Sequence, residues 1–170
     1  MTDPAEIVWQ GKYITVRRQG TWEYVGRARN IEAVVILAID DGNVLLVEQD
    51  RVPLGARCLE LPAGLVGDET AGEAIETAAA RELIEETGYQ AGTIETIGRF
   101  ASSPGMVSET FTLVRATGLT KVGAGGGVAG EGITVHRVPL ADVAAFVDAK
   151  RAEGVMIDVK LLLLLGGGLI

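Results

Sequence analysis

GLVGDETAGEAIETAAARELIEETGY, residues Gly64 to Tyr89, carries three carboxylates, Glu82, Glu85 and Glu86, within five positions. Like charges that close repel one another, so a helix that gathers them within a turn calls for something positive between them. At about 100° per residue the three fall on one arc, and Ile75, Ala78 and Ala79 lie on the same arc one or two turns earlier. The carboxylates thus continue an apolar, inward-facing stripe. From the helix alone two readings stand: a solvated acidic face, or buried carboxylates neutralised by hard cations with oxygen ligands. Thr70 with Glu73 three residues on reads as a capping box, the Ala-rich interior favours helix, and Gly88 is a natural stop.

On the N-terminal side, YITVRR (13–18) and WEYVGR (22–27) read as two strands of a hairpin around Gln19-Gly20-Thr21. AVVILAID and NVLLVEQD flank Asp41-Gly42, a strong hairpin signal, and their near-continuous apolar character predicts central strands covered on both faces. RCLELPAG reads as a strand ending at Pro62-Ala63-Gly64, followed by a loop. Beyond Tyr89, strands are expected at 93–101 and 109–116, separated by the loop SSPGMVS. GAGGGVAGEG (123–132) reads as a mobile connection without regular structure. Strand ITVHRV, helix LADVAAFVDAK and helix VMIDVKLLLLL follow, and no internal repeat or domain linker is visible. The expectation is a single mixed α/β domain over 1–170.

Composition narrows the function classes. Across 170 residues, 48% hydrophobic and 22% charged content suits a folded domain with a proper core. A net charge of −8 argues against binding nucleic acid through its phosphates. For an anionic substrate, metal ions and a few local arginines must supply the attraction. The lone cysteine, Cys58, excludes an intramolecular disulfide, fits a reducing cytoplasm and reads as a small buried hydrophobe. The opening MTDPAEIVWQ does not look like a signal peptide, and LLLLLGGGLI is too short to span a membrane, so no membrane association is expected. The sole histidine, His136, falls in an expected strand and reads as a packed or edge residue.

The spacing Gly67, five residues, Glu73, seven residues, then Arg81-Glu82-Leu83-Ile84-Glu85-Glu86-Thr87-Gly88-Tyr89 resembles position for position the box of the Nudix hydrolases. That resemblance implies an α/β/α sandwich with a mixed sheet, in which a loop–helix–loop binds two or three Mg²⁺ or Mn²⁺ ions. Glu82 and Glu86 would be ligands, Glu85 a further ligand or support, and Arg81 and Glu73 partners that hold the site. The likeness covers most of the chain and points to the ADP-ribose pyrophosphatase branch. ELPAG (60–64) looks like that branch's segment before the box, where the carbonyl matching Ala63 is usually a metal ligand. Arg51 sits where these enzymes keep an arginine for the substrate's phosphates. SPGMVSE, with Pro104 and Gly105, resembles the recognition loop. TWEYVGR, with Trp22, Tyr24 and Arg27, resembles an N-terminal hairpin (1–30) whose aromatics stack on adenine, often across a homodimer. One departure concerns the box entrance. The PAG glycine usually is the first box glycine, whereas Gly64 lies three residues before Gly67, which reads as an insertion and leaves the role of Gly67 open.

What this implies is metal-assisted hydrolysis of a P–O–P bond, with ADP-ribose yielding AMP and ribose 5-phosphate. Glu131, in the glycine-rich segment, matches the placement of the branch's general base. Glu109 is the second candidate, more in keeping with a metal-side carboxylate. GDP-mannose or another nucleotide sugar is the rival substrate. A module that senses ADP-ribose without cleaving it is the rival outside enzymes, although such modules typically lose box carboxylates and this chain keeps them.

Overall fold

The computed structural model describes residues 4–67, 72–128 and 130–165. At its centre lies β4 (Glu32–Asp40), whose side chains alternate between two apolar layers. Val35 and Leu37 pack with Leu46, Leu59, Phe111, Val143 and Leu161, while Val34, Ile36 and Ala38 pack with Leu45, Ala78, Ala79 and Leu83. Period-two alternation on a strand whose two faces are both buried requires a cover on each side. Helix α1 (Ile75–Thr87) supplies one, and α2 (Val143–Ala152) with the turn at Val159–Leu161 supplies the other. The result is the expected α/β/α sandwich.

The Asp41-Gly42 turn takes positive φ at both residues, 47° and 69°, which matches the twist of a two-residue hairpin. Yet β4 and β5 (Asn43–Arg51) stay paired only at Ile39–Val44 and Asp40–Asn43. Beyond that they part, because the RCLELPAG segment is two strands, where one was expected. β6 (Ala56–Glu60) pairs with β5, and β7 (Ala63–Val66) pairs with the first half of β4. Pro62 sits at the bend between them, where it has no N–H to leave unpaired, and its carbonyl accepts the Ile36 N–H at 2.8 Å. The strand therefore runs two residues past Gly64, where a loop was expected to begin, and lies alongside α1.

After the short strand β8 (Tyr89–Gln90), β9 (Thr93–Ala101) and β10 (Thr110–Thr117) form as expected, β10 running parallel to β4. The N-terminal hairpin gains an extra strand. β1 (Glu6–Gln10), β2 (Ile14–Gln19) and β3 (Trp22–Arg27) make a separate antiparallel sheet, with Ile7, Val8, Trp9, Tyr13 and Trp22 exposed. Beyond β11 (Thr120–Lys121), β12 (Thr134–Pro139) borders β5. The last expected helix is instead β13 (Met156–Ile157), parallel to β6, then a 3-10 turn and α3 (Leu162–Leu165). Asp158 causes the break: its side chain accepts the Lys160 N–H at 2.7 Å and so starts the turn there. No helix among the described residues is long and apolar enough to cross a membrane. Cys58 is buried, and burial pushes its thiol up to about 12, as befits an inert hydrophobe.

One buried acid ties the second helical layer to the sheet. Glu48, on β5, is bound by Arg57 at 2.7 Å, His136 at 3.0 Å and Lys150 of α2 at 3.1 Å. His136 also tilts against Phe146, so it is spent on packing. Burial by itself would raise the Glu48 carboxyl, but the bonds from Arg57, Lys150 and His136 outweigh it and hold the group down to about 2. Because the folded value lies below the unfolded one, this contribution to stability is complete above pH ~4.5 and is lost as pH falls towards ~2. Acid titration followed by circular dichroism should show Glu48→Gln less stable than the parent at pH 7, with the gap closing between about pH 4.5 and 2.

Candidate active site

Helix α1 begins at Ile75, later than the expected capping box would have it, with Ala74 as N-cap and no side-chain cap bond. Thr70 lies outside the described residues. Glu73 is used otherwise: it accepts Arg81 Nε and Nη2 and the Gly67 N–H, all at 3.3 Å. Arg81 in turn gives Nη1 to Glu82 at 2.9 Å and Nη2 to the Leu65 carbonyl at 3.1 Å, and lies 3.5 Å from Glu85. Gly67 has φ 82°, a conformation only glycine adopts readily, so its place in the box has a geometric cause.

The arc read from the sequence holds for its apolar half, since Ala78 and Ala79 are fully buried and Ile75 packs beside them. Its acidic half divides. Glu82 and Glu86 turn towards β7, where the N–H groups of Leu65 and Ala63 donate to them at 3.3 and 3.0 Å. Glu85 stands further out beside Arg81 and does not line the cleft. A Cβ at position 64 would come within 1.9 Å of the Glu82 carboxyl carbon, so the strand approaches the helix this closely only through glycine. Glu86 is 7% exposed. Burial first, then Glu82 and Glu131 nearby, push its carboxyl up to about 8 against the Ala63 N–H and Arg51. Burial likewise raises Glu82.

These side chains form one wall of a cleft of about 410 Å³. The others come from Arg27, Arg51, Glu60, Ala63, Glu109 and Glu131, six residues from six separate stretches of chain. Arg51 is held by Glu60 through Nε at 2.6 Å and Nη2 at 2.8 Å. Arg27 is ion-paired with Glu109. Sequence reasoning missed Glu60, Gln49 and Lys160, which also line the cleft. Glu60 lay in the quoted ELPAG, where its bond to an arginine nine residues back was the available signal; Lys160 was hidden by reading its segment as helix. Four expected residues do not reach the cleft within one chain. Trp22 is 62% exposed on the small sheet, Tyr24 lies on the same sheet, and Pro104 and Gly105 sit on an exposed turn. That turn is fastened to β3 by Val25 N–H to the Met106 carbonyl at 3.0 Å and Ser108 N–H to the Val25 carbonyl at 2.8 Å.

The glycine-rich segment is not the free connection its composition suggests. Gly126 N–H donates to the Glu86 carbonyl at 2.8 Å and Gly127 N–H to the Glu85 carbonyl at 3.0 Å. Val122 and Gly123 both donate to the Gly88 carbonyl, and Lys121 Nζ reaches the Thr87 carbonyl at 2.9 Å. The segment is a collar on carbonyls that a helix C-terminus leaves unpaired. It fits because a Cβ at 125 would lie 2.4 Å from the Thr87 carbonyl carbon. Glu131 follows the collar, its Oε2 accepting the Val128 N–H at 3.0 Å.

Among the described residues, no three His, Cys, Asp or Glu side chains converge on one point. The donors present nevertheless suit a divalent cation: two neighbouring carboxylates raised by burial, with oxygen atoms as the available ligands.

The family profile described as NUDIX domain matches residues 29–157. The chain is 46% identical over 92 residues to an ADP-ribose pyrophosphatase of Mycobacterium tuberculosis, covering 54% of this chain and 44% of that protein. It is 32% identical over 130 residues to an ADP-sugar pyrophosphatase of Mus musculus, covering 66% and 58%. The chain thus spans about half the length of these curated relatives. A crystal structure of an ADP compounds hydrolase superposes with TM-score 0.73 at 25% identity, over 100% of this chain and 96% of that one.

Gly125→Ala should break the collar, since the new Cβ meets backbone and the residue has φ 71°. Urea denaturation should show a loss of about 1–3 kcal/mol.

Proposed function

This chain belongs to the NUDIX domain family, and from that premise we propose that its cleft hydrolyses the pyrophosphate bond of a nucleoside diphosphate sugar, with ADP-ribose giving AMP and ribose 5-phosphate. The observation that carries this reading is the meeting of opposites in one cleft, where the carboxylates of Glu82 and Glu86 and the arginines Arg27 and Arg51 line the same space. A pyrophosphate suits such a lining, its oxygens taken by guanidinium forks and, through cations, by carboxylates.

In this proposal Glu82, Glu86 and the Ala63 carbonyl hold two or three Mg²⁺ or Mn²⁺ ions, with Glu85 as a further support. Bound there, divalent ions lower the pKa of an attacking water and neutralise charge on the leaving phosphate. Arg81 acts as a positioning residue, fixing Glu82 and Glu85 from behind. Arg51, oriented by Glu60, and Arg27, oriented by Glu109, grip the phosphates. Glu131 takes the proton of the attacking water. It is preferred to Glu109 because Glu109 is already ion-paired with Arg27. The working unit is the whole chain as one domain, and the free, buried Cys58 suits a reducing compartment such as the cytoplasm.

Trp22, Tyr24 and the turn at Pro104 and Gly105 enter through a second copy. The exposed apolar side chains of the N-terminal sheet, Trp9, Tyr13 and Trp22 among them, form a patch suited to a homodimer contact. Such a contact would bring one protomer's aromatic residues towards its partner's cleft, where they stack on adenine.

Purified protein with Mg²⁺ or Mn²⁺ should release nucleoside monophosphate from ADP-ribose faster than from GDP-mannose, UDP-glucose, NADH or diadenosine polyphosphates. Silence across that panel would sink the reading. Glu82→Gln and Glu86→Gln should each weaken cation binding in calorimetry and remove most turnover. Glu131→Gln should lower kcat by about 10²–10⁴-fold while cation affinity stays unchanged; a near-full rate would place the base elsewhere.

A further inference from the structure

Next to the cleft, and sharing Arg27 and Glu109 with it, lies a second cavity of about 280 Å³. Arg17 of β2 and Arg99 of β9 also line it, so three guanidinium groups face one small space in a chain of net charge −8. Charges of one sign gathered so closely repel unless an anion joins them. Arg27 has its anion in Glu109. Neither Arg17 nor Arg99 makes an ion pair among the described residues, and each instead donates to a threonine hydroxyl. The one other carboxylate lining the cavity, Glu32, leaves the arginines in excess.

The two unpaired side chains are also aimed. Arg17 Nε donates to Thr15 Oγ1 at 3.2 Å, and Arg99 Nε to Thr110 Oγ1 at 2.7 Å. Each threonine takes the inner nitrogen and leaves both terminal nitrogens of the fork to an incoming ligand. That geometry suits the oxygens of a phosphate, which accept two parallel N–H bonds from one guanidinium. The cavity shares Arg27 with the cleft, so a phosphate held there lies beside the one that Arg27 is proposed to grip, where a second phosphate on the same ribose would fall.

We propose that Arg17 and Arg99 form a subsite for a second phosphate, a monoester on the ribose of the nucleoside half, so that the chain favours nucleotides phosphorylated there. The nucleotide orientation rests on the reading of the cleft given above, but the subsite can be tested without turnover.

The full chain is titrated calorimetrically with AMP, adenosine 2′,5′-bisphosphate and adenosine 3′,5′-bisphosphate, as the parent, as R17Q/R99Q and as R17K/R99K. At least one bisphosphate should bind the parent about tenfold or more tightly than AMP, a gap expected of a charge-assisted phosphate contact. In R17Q/R99Q the gap should shrink to within about twofold with AMP affinity unchanged, and in R17K/R99K, which keeps the charge, part of it should return. Equal binding of AMP and both bisphosphates by the parent overturns the subsite, as does a gap that survives R17Q/R99Q. A variant changed only in its sedimentation overturns it too, showing that the arginines meet a second copy. If AMP fails to bind while a bisphosphate binds through the two arginines, the subsite stands and the pyrophosphatase reading falls; if none of the three binds, the subsite falls.

Discussion

Two carboxylates stand below the protein surface because one short strand gives them hydrogen bonds. Glu82 and Glu86 take the N–H groups of Leu65 and Ala63, and everything nearby serves that contact. Pro62 bends the chain so that β7 leaves β6 and joins β4, which carries the strand under α1. Gly64 removes the side chain that would hold strand and helix apart. Arg81, braced by Glu73, supplies positive charge beside Glu82, and Arg51 does the same for Glu86.

The helix half of this arrangement was legible in the sequence, because helical spacing alone decides which residues share a face. Ile75, Ala78 and Ala79 follow from periodicity, and Gly88 from its position after the last turn. The strands at 93–101 and near 110 were legible as two runs set apart by the turn-forming SSPGMVS. What stayed hidden depends on contacts between distant segments. RCLELPAG looks continuous until one knows that β4 and β5 diverge and offer it two different partners. VMID looks helical beside a run of leucines, but its Met156 and Ile157 meet an open edge at Cys58 and Leu59. Glu73 looked like half of a capping box because the competing Arg81 lies two turns away along the helix.

The glycine-rich segment teaches the same lesson from composition. Glycines in number suggest freedom, and here several serve close approach instead. Gly125 lies against Thr87, and the N–H groups of Gly126 and Gly127 close the end of α1. The loop that brings Glu131 to the cleft is consequently anchored on the backbone of Glu85 and of Glu86, whose own side chain lines the same cleft. Glu131 and Glu86, on two walls of one cleft, share one mechanical support.

The parallel pairing of β4 with β10 carries a consequence for how the molecule comes into being. Ala33 meets Phe111, a contact that must close a loop of most of the intervening chain, whereas β4 to α1 is a run of neighbours. Local pairings form sooner than distant ones. During synthesis the carboxylate half of the cleft therefore has its partners at hand well before β10 brings in Glu109 or the chain reaches Glu131. Until then the outer edge of β4, rich in valine and isoleucine, is a bare strand edge of the kind that invites aggregation, and the β9–β10 hairpin is what ends that exposure.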